Sequence, residues 1–364
     1  MEQSDRLAIE PYLRALVEVT GSDLHVKAGV VPRIRVDGTL RALRTNPLSG
    51  ADTGRMLAEI LRPDLVTEFE ETGEADFALM IDGVGRFRVN AFRQRGEVGM
   101  VLRRVAIGAL PLSELGLPSP VSALSLQPRG LILVTGPTGS GKTTTLAGMV
   151  DEINRHRDVH VVTIEDPIEI IHHDKRALIN QREVRIDTAD FKVALRAAMR
   201  QDPDVIQIGE MRDPETVHAA LTAAETGHLV LSTLHTVDAQ ETVSRIIDFF
   251  PPHEQQQIRL SLAGALRGIL CQRLVPRADG RGRCVAMEIC INTGRVADAI
   301  VEKSKTGTIT SLIAGGGFYG MQTFDQHLVT LYRDRVITLE EAMAASSSPH
   351  DLEVELRRLG LLAS

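Results

Sequence analysis

Tryptophan is absent from this 364-residue chain, and aromatic residues make up only 3% of it. That leaves few π-faces for unpaired bases to stack on, which argues against a nucleic-acid cargo. The charge balance points the same way. Lys and Arg number 41 against 48 Asp and Glu, a formal charge of −7, so there is no general attraction to nucleic acid or anionic lipid. Cysteine is scarce: Cys271, Cys284 and Cys290 are odd in number and never spaced C-x-x-C. This excludes a four-cysteine zinc site and argues against a disulfide framework. No apolar run is long enough to span a bilayer, so no transmembrane segment is expected. The start, Met1-Glu-Gln-Ser-Asp-Arg6, is acidic and is followed by no apolar core, unlike a secretory signal, which predicts a cytoplasmic protein.

What is present is ordinary globular composition, 43% hydrophobic and 24% charged, in a chain long enough for two domains. One stretch dominates it. Gly136-Pro-Thr-Gly-Ser-Gly-Lys-Thr143 fits the G-x-x-x-x-G-K-[ST] phosphate-binding loop without a mismatch. Leu131-Ile-Leu-Val-Thr135 before it reads as a buried strand, and the segment from Thr144 to Asn154 carries apolar residues at helical spacing. In this strand-loop-helix setting Gly136, Thr138, Gly139, Ser140 and Gly141 bring backbone N–H groups onto phosphate oxygens at a helix N-terminus, with Pro137, which has no N–H, shaping the turn and Thr144 next to them. Lys142 is expected to reach the β- and γ-phosphates of ATP and Thr143 to bind Mg²⁺.

Before this loop the chain shows period-two alternation in Asp23–Val26, Arg33–Val36 closed by Asp37-Gly38, Arg86–Phe92 and Gly99–Arg103, with helical spacing over 52–69. Residues 1–108 are therefore expected to form a small α+β domain. The Pro-, Ser- and Gly-rich stretch 109–128 reads as a linker, and 129–364 as the second domain. There, near-continuous apolar runs at Leu131–Thr135, His160–Ile164, Val205–Ile208 and His228–Leu234 have the pattern of parallel strands buried on both faces. A helix is predicted over about 188–200 with Asp187 as N-cap. From about 260 the pattern is read as mainly helical: one helix over Leu260–Gln272, another over Met321–Arg333, and two short ones opened by Thr338 and Ser348. Alternating strands and helices predict an α/β, RecA-like or doubly wound sheet.

Ligands of such a sheet bind beyond the carboxyl ends of its strands, and reactive residue types cluster there. Glu165, Asp166 and Glu169 follow the second strand, and at least one is expected in or next to a Mg²⁺ shell, the Pro167 turn leaving the choice open. Glu210 follows the third and is expected to act in hydrolysis and at the metal. Asp213 is read either as pairing with Arg212 or as capping the next helix. His228 and His235 bracket the fourth strand, read either as γ-phosphate sensors or as structural histidines. In the first domain Arg86, Arg88, Arg93, Arg95, Arg103 and Arg104 crowd two strands, either as a solvated basic hairpin or as a source of arginine fingers. Arg88 and Arg103 are the better placed.

Thr163-Ile-Glu-Asp-Pro-Ile-Glu169, Gly209-Glu-Met-Arg-Asp213, Gly227-His-Leu-Val-Leu-Ser-Thr-Leu-His235 and the phosphate loop together resemble the Asp box, atypical Walker B, His box and Walker A of the type II secretion and type IV pilus ATPases. Within them the chain is most similar to the PilT/PilU group of twitching-motility retraction motors. The resemblance extends through Ser22-Asp-Leu-His25, Arg86-Phe-Arg-Val-Asn90, Gln201-Asp-Pro-Asp204 and Gly320-Met-Gln-Thr-Phe-Asp-Gln326. It implies a PAS-like N-terminal domain, a RecA-like P-loop ATPase domain with C-terminal helices, and a homohexameric ring. The ring would lie in the cytoplasm, peripheral to the inner membrane at the pilus base. The implied partners are a platform protein in that membrane and a paralogous retraction ATPase. The resemblance also assigns nucleotide and Mg²⁺ to Lys142 and Thr143, hydrolysis to Glu210 and the Asp-box carboxylates, and approach to the phosphates to Arg88 and Arg103. Assembly and secretion ATPases usually carry a longer N-terminal region and a four-cysteine zinc site; their lack here favours retraction. Where the group commonly has A-I-R-N-L-I-R-E, this sequence has Val296-Ala-Asp-Ala-Ile-Val-Glu-Lys303, which leaves a primary motor and an accessory paralogue as alternatives.

Overall fold

Alternation of apolar and polar residues builds the first sheet. In the computed structural model, which describes residues 7–36 and 38–362, the chain divides into two units, Met1–Ile107 and Gly108–Ser364. The acidic start, residues 1–6, and Asp37 of the expected turn lie outside the described residues.

The first unit runs α1 (Glu10–Glu18), β1 (Asp23–Lys27), β2 (Arg33–Val36), β3 (Thr39–Ala42), α2 (Gly50–Ile60), α3 (Val66–Thr72), β4 (Glu74–Ile81), β5 (Gly85–Gln94), β6 (Glu97–Arg104) and the two-residue β7 (Ala106–Ile107). Its antiparallel sheet has the order β3-β2-β1-β6-β5-β4. Phe87, Val89 and Ala91 of β5 point into the core with Leu24, Met100 and Leu102, while Arg88 between them stays exposed. The single helix expected over 52–69 is two. Leu61 and Arg62, both extended ahead of Pro63, separate the two, since proline disfavours helical backbone in the residue before it. Ser49 and Asp52 form a reciprocal cap at the start of α2.

The second unit runs α4 (Pro120–Ser125), β8 (Gly130–Thr135), α5 (Lys142–His156), β9 (His160–Glu165), the short β10 (Ile170–Ile171), β11 (Leu178–Glu183), α6 (Phe191–Ala198), β12 (Val205–Ile208), α7 (Pro214–Glu225), β13 (Leu229–Leu234), α8 (Ala239–Asp248), α9 (Gln255–Ala265), β14 (Leu266–Pro276) and β15 (Arg283–Ile291). The C-terminal helices α10 (Gly294–Val301), α11 (Ile309–Ala314), α12 (Phe324–Arg333), α13 (Leu339–Ala345) and α14 (Pro349–Arg358) follow. Its seven-stranded sheet, which leaves out β10, takes the order β11-β9-β12-β13-β8-β14-β15, all parallel except the last pair. Every residue of β8, β12 and β13 is buried, because both faces of the sheet are covered. Ile132 and Val134 pack with Leu146, Met149 and Ile153 of α5, whereas Leu131 and Leu133 pack against the α6–α14 side. The proline-rich stretch read as a linker packs here: α4 buries Val121 and Leu124 in the same cluster as α5.

Three readings of the second half are corrected. The helix expected over Leu260–Gln272 ends at Ala265, and the chain continues as β14, paired with β8 and β15. β11 and β15 were likewise not foreseen, so the sheet is wider than four strands. The helix near residue 188 starts at Phe191 and is capped by Asp190, which accepts from Val193 N at 2.7 Å. Asp187 accepts instead from Glu183 N at 2.8 Å.

Candidate active site

The loop between β8 and α5 bends through left-handed backbone at Gly136, Gly139 and Gly141, with φ of 142°, 79° and 89°. At Gly136 the demand is steric as well: a Cβ there would lie 2.4 Å from the Gln272 carbonyl oxygen of β14. Gln272 also donates its side-chain amide to Ser140 O at 2.7 Å, so the unforeseen β14 forms one wall of the phosphate loop. Lys142 folds over the loop, its Nζ 2.7 Å from Gly136 O and 3.1 Å from Pro137 O. Burial pulls the pKa of this ammonium down, and the nearby Glu210 carboxylate opposes the shift. A glycine-rich loop at the N-terminus of a 15-residue helix, closed by a half-buried ammonium, fits a polyphosphate.

A cleft of about 580 Å³ opens at this loop, lined by Thr138, Gly139, Gly141, Lys142, Thr143 and Thr144. Glu165, Asp166 and Glu169 from the end of β9, Glu210 after β12 and His235 after β13 complete it, so the carboxyl ends of the parallel strands do converge. All of its lining belongs to the second unit. Glu210 accepts from Arg212 Nε at 2.9 Å, and its other carboxylate oxygen lies 3.2 Å from His235 Nε2. Glu165 is 7% exposed and its Oε1 accepts from Thr163 Oγ1 at 2.6 Å and Gln181 Nε2 at 3.0 Å. Burial pushes its carboxyl above the ordinary range, those two hydrogen bonds oppose the shift, and Glu169 and Glu183 reinforce it. The donors gathered here are hydroxyl and carboxylate oxygens, the hard ligands that suit Mg²⁺.

Some expected residues stand elsewhere. His228 precedes the first residue of β13 and the cleft lies past the last, because a parallel strand offers the cleft only its carboxyl end. Its Nδ1 lies 2.9 Å from Ala223 O at the end of α7, the structural role of the two weighed. Asp213 caps α7, accepting from Thr216 N at 2.8 Å. Arg88 and Arg103 belong to the first unit, directly opposite each other on β5 and β6. Arg103 Nε donates to Asp23 Oδ1 at 2.8 Å. Burial pushes the Asp23 carboxyl up, but hydrogen bonds from Arg103 and Ser22 outweigh it and hold the pKa below the usual range.

The sequence reading missed Gln207, Leu274 and Arg283, which line the cleft, and Gln181 and Gln272, which brace it. Leu274, Arg283 and Gln272 lie on β14 and β15. The available signal was the β-branched Val285, Ile289 and Ile291 within the mainly apolar Cys284–Ile291, which suits a strand.

A phosphate loop at the head of a parallel sheet, faced by carboxylates from neighbouring strand ends, defines a P-loop nucleotide hydrolase. The chain belongs to the type II/IV secretion system protein family, whose model matches residues 6–334, and it is an ATPase. It is 44% identical over 330 residues to the type IV pilus retraction ATPase PilT of Pseudomonas aeruginosa, covering 91% of this chain and 95% of that protein. To the type IV pilus ATPase PilU of the same organism it is 42% identical over 351 residues, covering 96% and 92%. Among solved structures, the pilus retraction motor PilT with bound ADP superposes with a TM-score of 0.88 at 44% identity, covering 96% of this chain and all of that one.

Proposed function

We propose that this protein is the ATP-driven motor of a type IV pilus retraction machine, working as a homohexameric ring on the cytoplasmic side of the inner membrane against a platform protein. The observation that carries this reading is similarity to a retraction ATPase over nearly the full length of both chains, with the nucleotide cleft intact. In the reaction, the loop amides and Lys142 hold the β- and γ-phosphates, and Glu210 orients the attacking water, itself fixed by Arg212 and His235. Thr143 and one or more of Glu165, Asp166 and Glu210 hold Mg²⁺, directly or through water. The ion supplies neutralisation of charge on the transferring phosphoryl group. Arg88 and Arg103 are the arginines assigned to charge neutralisation at the phosphates.

A second reading is an accessory retraction subunit acting beside a paralogous motor. It is favoured by the near-equal identity to PilU and by Val296–Lys303 in place of the retraction signature. Counting surface pili and scoring twitching in cells lacking the protein tests both. Excess pili with lost motility, uncorrected by a Lys142→Ala copy, are expected for the motor; full correction by that copy points to the accessory role. Bald cells would make this an assembly ATPase and overturn both.

A further inference from the structure

β11 is the edge strand beside β9, paired in parallel register so that Gln181 stands opposite Thr163 and Glu183 opposite Glu165. Residues two apart on a strand share a face, and both side chains reach the segment that follows β9. Gln181 Nε2 donates to Glu165 Oε1 at 3.0 Å and to Ile170 O at 2.9 Å, and its Oε1 accepts from His172 N at 2.8 Å. Glu183 Oε2 accepts from Ile168 N at 3.2 Å. Both donors and the acceptor of the Gln181 amide are thus used, on one Asp-box carboxylate and two backbone groups just past the Asp box. Glu165 Oε1, which also takes the Thr163 hydroxyl at 2.6 Å, is filled by two donors. Its Oε2 has no protein partner among the described residues.

We propose that Gln181 is a positioning residue for ATP hydrolysis: its amide fixes the Glu165 carboxylate by one oxygen, leaves the other to the cleft, and ties this geometry to residues 170–172. The inference rests on the reading of Glu165 as a carboxylate of hydrolysis. The residue type follows from the charges around it. Glu169 and Glu183 are close enough to act on Glu165. A lysine or arginine at this position would neutralise Glu165, and a glutamate would repel it. A neutral amide supplies the donors and leaves the carboxylate's charge in place.

The test is steady-state ATPase kinetics and ADP calorimetry on the full-length chain carrying Gln181→Met, the isosteric Gln181→Glu, Glu165→Gln, and Gln181→Met with Glu165→Gln. Both Gln181 variants are expected to melt within a few degrees of the parent and to lose about 10- to 100-fold in kcat. KM for ATP and ADP affinity should stay within about threefold, the split expected when only transition-state geometry is disturbed. On the Glu165→Gln background, Gln181→Met should cost less than about twofold, because the group it positions is already changed. Parental kcat in both Gln181 variants, or an undiminished penalty on the Glu165→Gln background, would overturn the inference alone. Full turnover by Glu165→Gln would remove the reading of Glu165 and the inference with it.

Discussion

Glu288 is 4% exposed on β15 and accepts from the amide of Ala239, the first residue of α8, at 2.8 Å. Burial pushes its carboxyl up to about 7. A carboxyl whose pKa rises on folding binds its proton more tightly in the folded chain than in the unfolded one. Its contribution is therefore favourable at low pH and is lost as pH rises from about 4.5 to about 7. His327 and His172 act in the opposite direction: burial holds both at about 4, so stability falls as their protonation is forced on acidification. Glu288→Gln keeps the acceptor for Ala239 and removes the titration. Its thermal melts against the parent from pH 5 to pH 8 should show little gain at pH 5. At pH 8 the gain should be several degrees, on the order of 3 kcal/mol. The histidines are common to both proteins and cancel in the difference, so a gain independent of pH would show that Glu288 does not carry the charge cost.

At the scale of elements, the phosphate loop depends on β14 as much as on its own glycines. Gly136→Ala is expected to add backbone strain of about 1–3 kcal/mol and a collision with the Gln272 carbonyl, since its Cβ would lie 2.4 Å from that oxygen. Gly139→Ala meets no atom within 4 Å and adds the strain alone. ADP affinity by calorimetry should therefore fall much further for Gly136→Ala than for Gly139→Ala; equal losses would mean that contact with β14 is unimportant to the loop. The loop itself and the carboxylates at the ends of β9 and β12 were legible because each lies in a short contiguous motif with a fixed place at a strand end. β14 was not. It follows α9 with no intervening loop or proline, Leu262, Leu266 and Leu270 repeat at helical spacing, and residues 268–272 are all buried, which erases the alternation that marks a strand. β11 was missed for the reverse reason: as an edge strand carrying Asn180, Gln181, Arg182 and Glu183 it has no apolar run. The cost of that omission was Gln181. His228 stayed open between sensor and structural histidine because a sequence gives the two ends of a strand equal weight, whereas in a parallel sheet only one end faces the ligand.

For the whole molecule, the division of labour follows from where each group sits. Each unit has a core of its own: Phe87, Met100 and Leu102 belong to the first, and the clusters around β8 to the second. Separate cores are what allow units of a chain to fold as independent domains. All residues lining the nucleotide cleft lie in the second unit, whereas the arginines assigned to the phosphates lie in the first. Binding and turnover should therefore come apart. A chain of residues 108–364 is expected to bind ADP within about threefold of the full-length protein, because Lys142 and the loop amides are all present. Its kcat should fall by about 10³-fold or more, the scale on which a finger arginine acts in phosphoryl transfer. Full-length Arg103→Gln should show the same split in milder form. That substitution keeps a hydrogen-bond donor near the buried Asp23, which retains Arg35 at 3.8 Å, so the first unit is expected to stay folded. Calorimetry and steady-state kinetics on both proteins decide the matter. Undiminished turnover by 108–364 would take the first unit out of the chemistry and leave it only a role in transmitting force. Loss of ADP binding would mean that the nucleotide site itself needs both units.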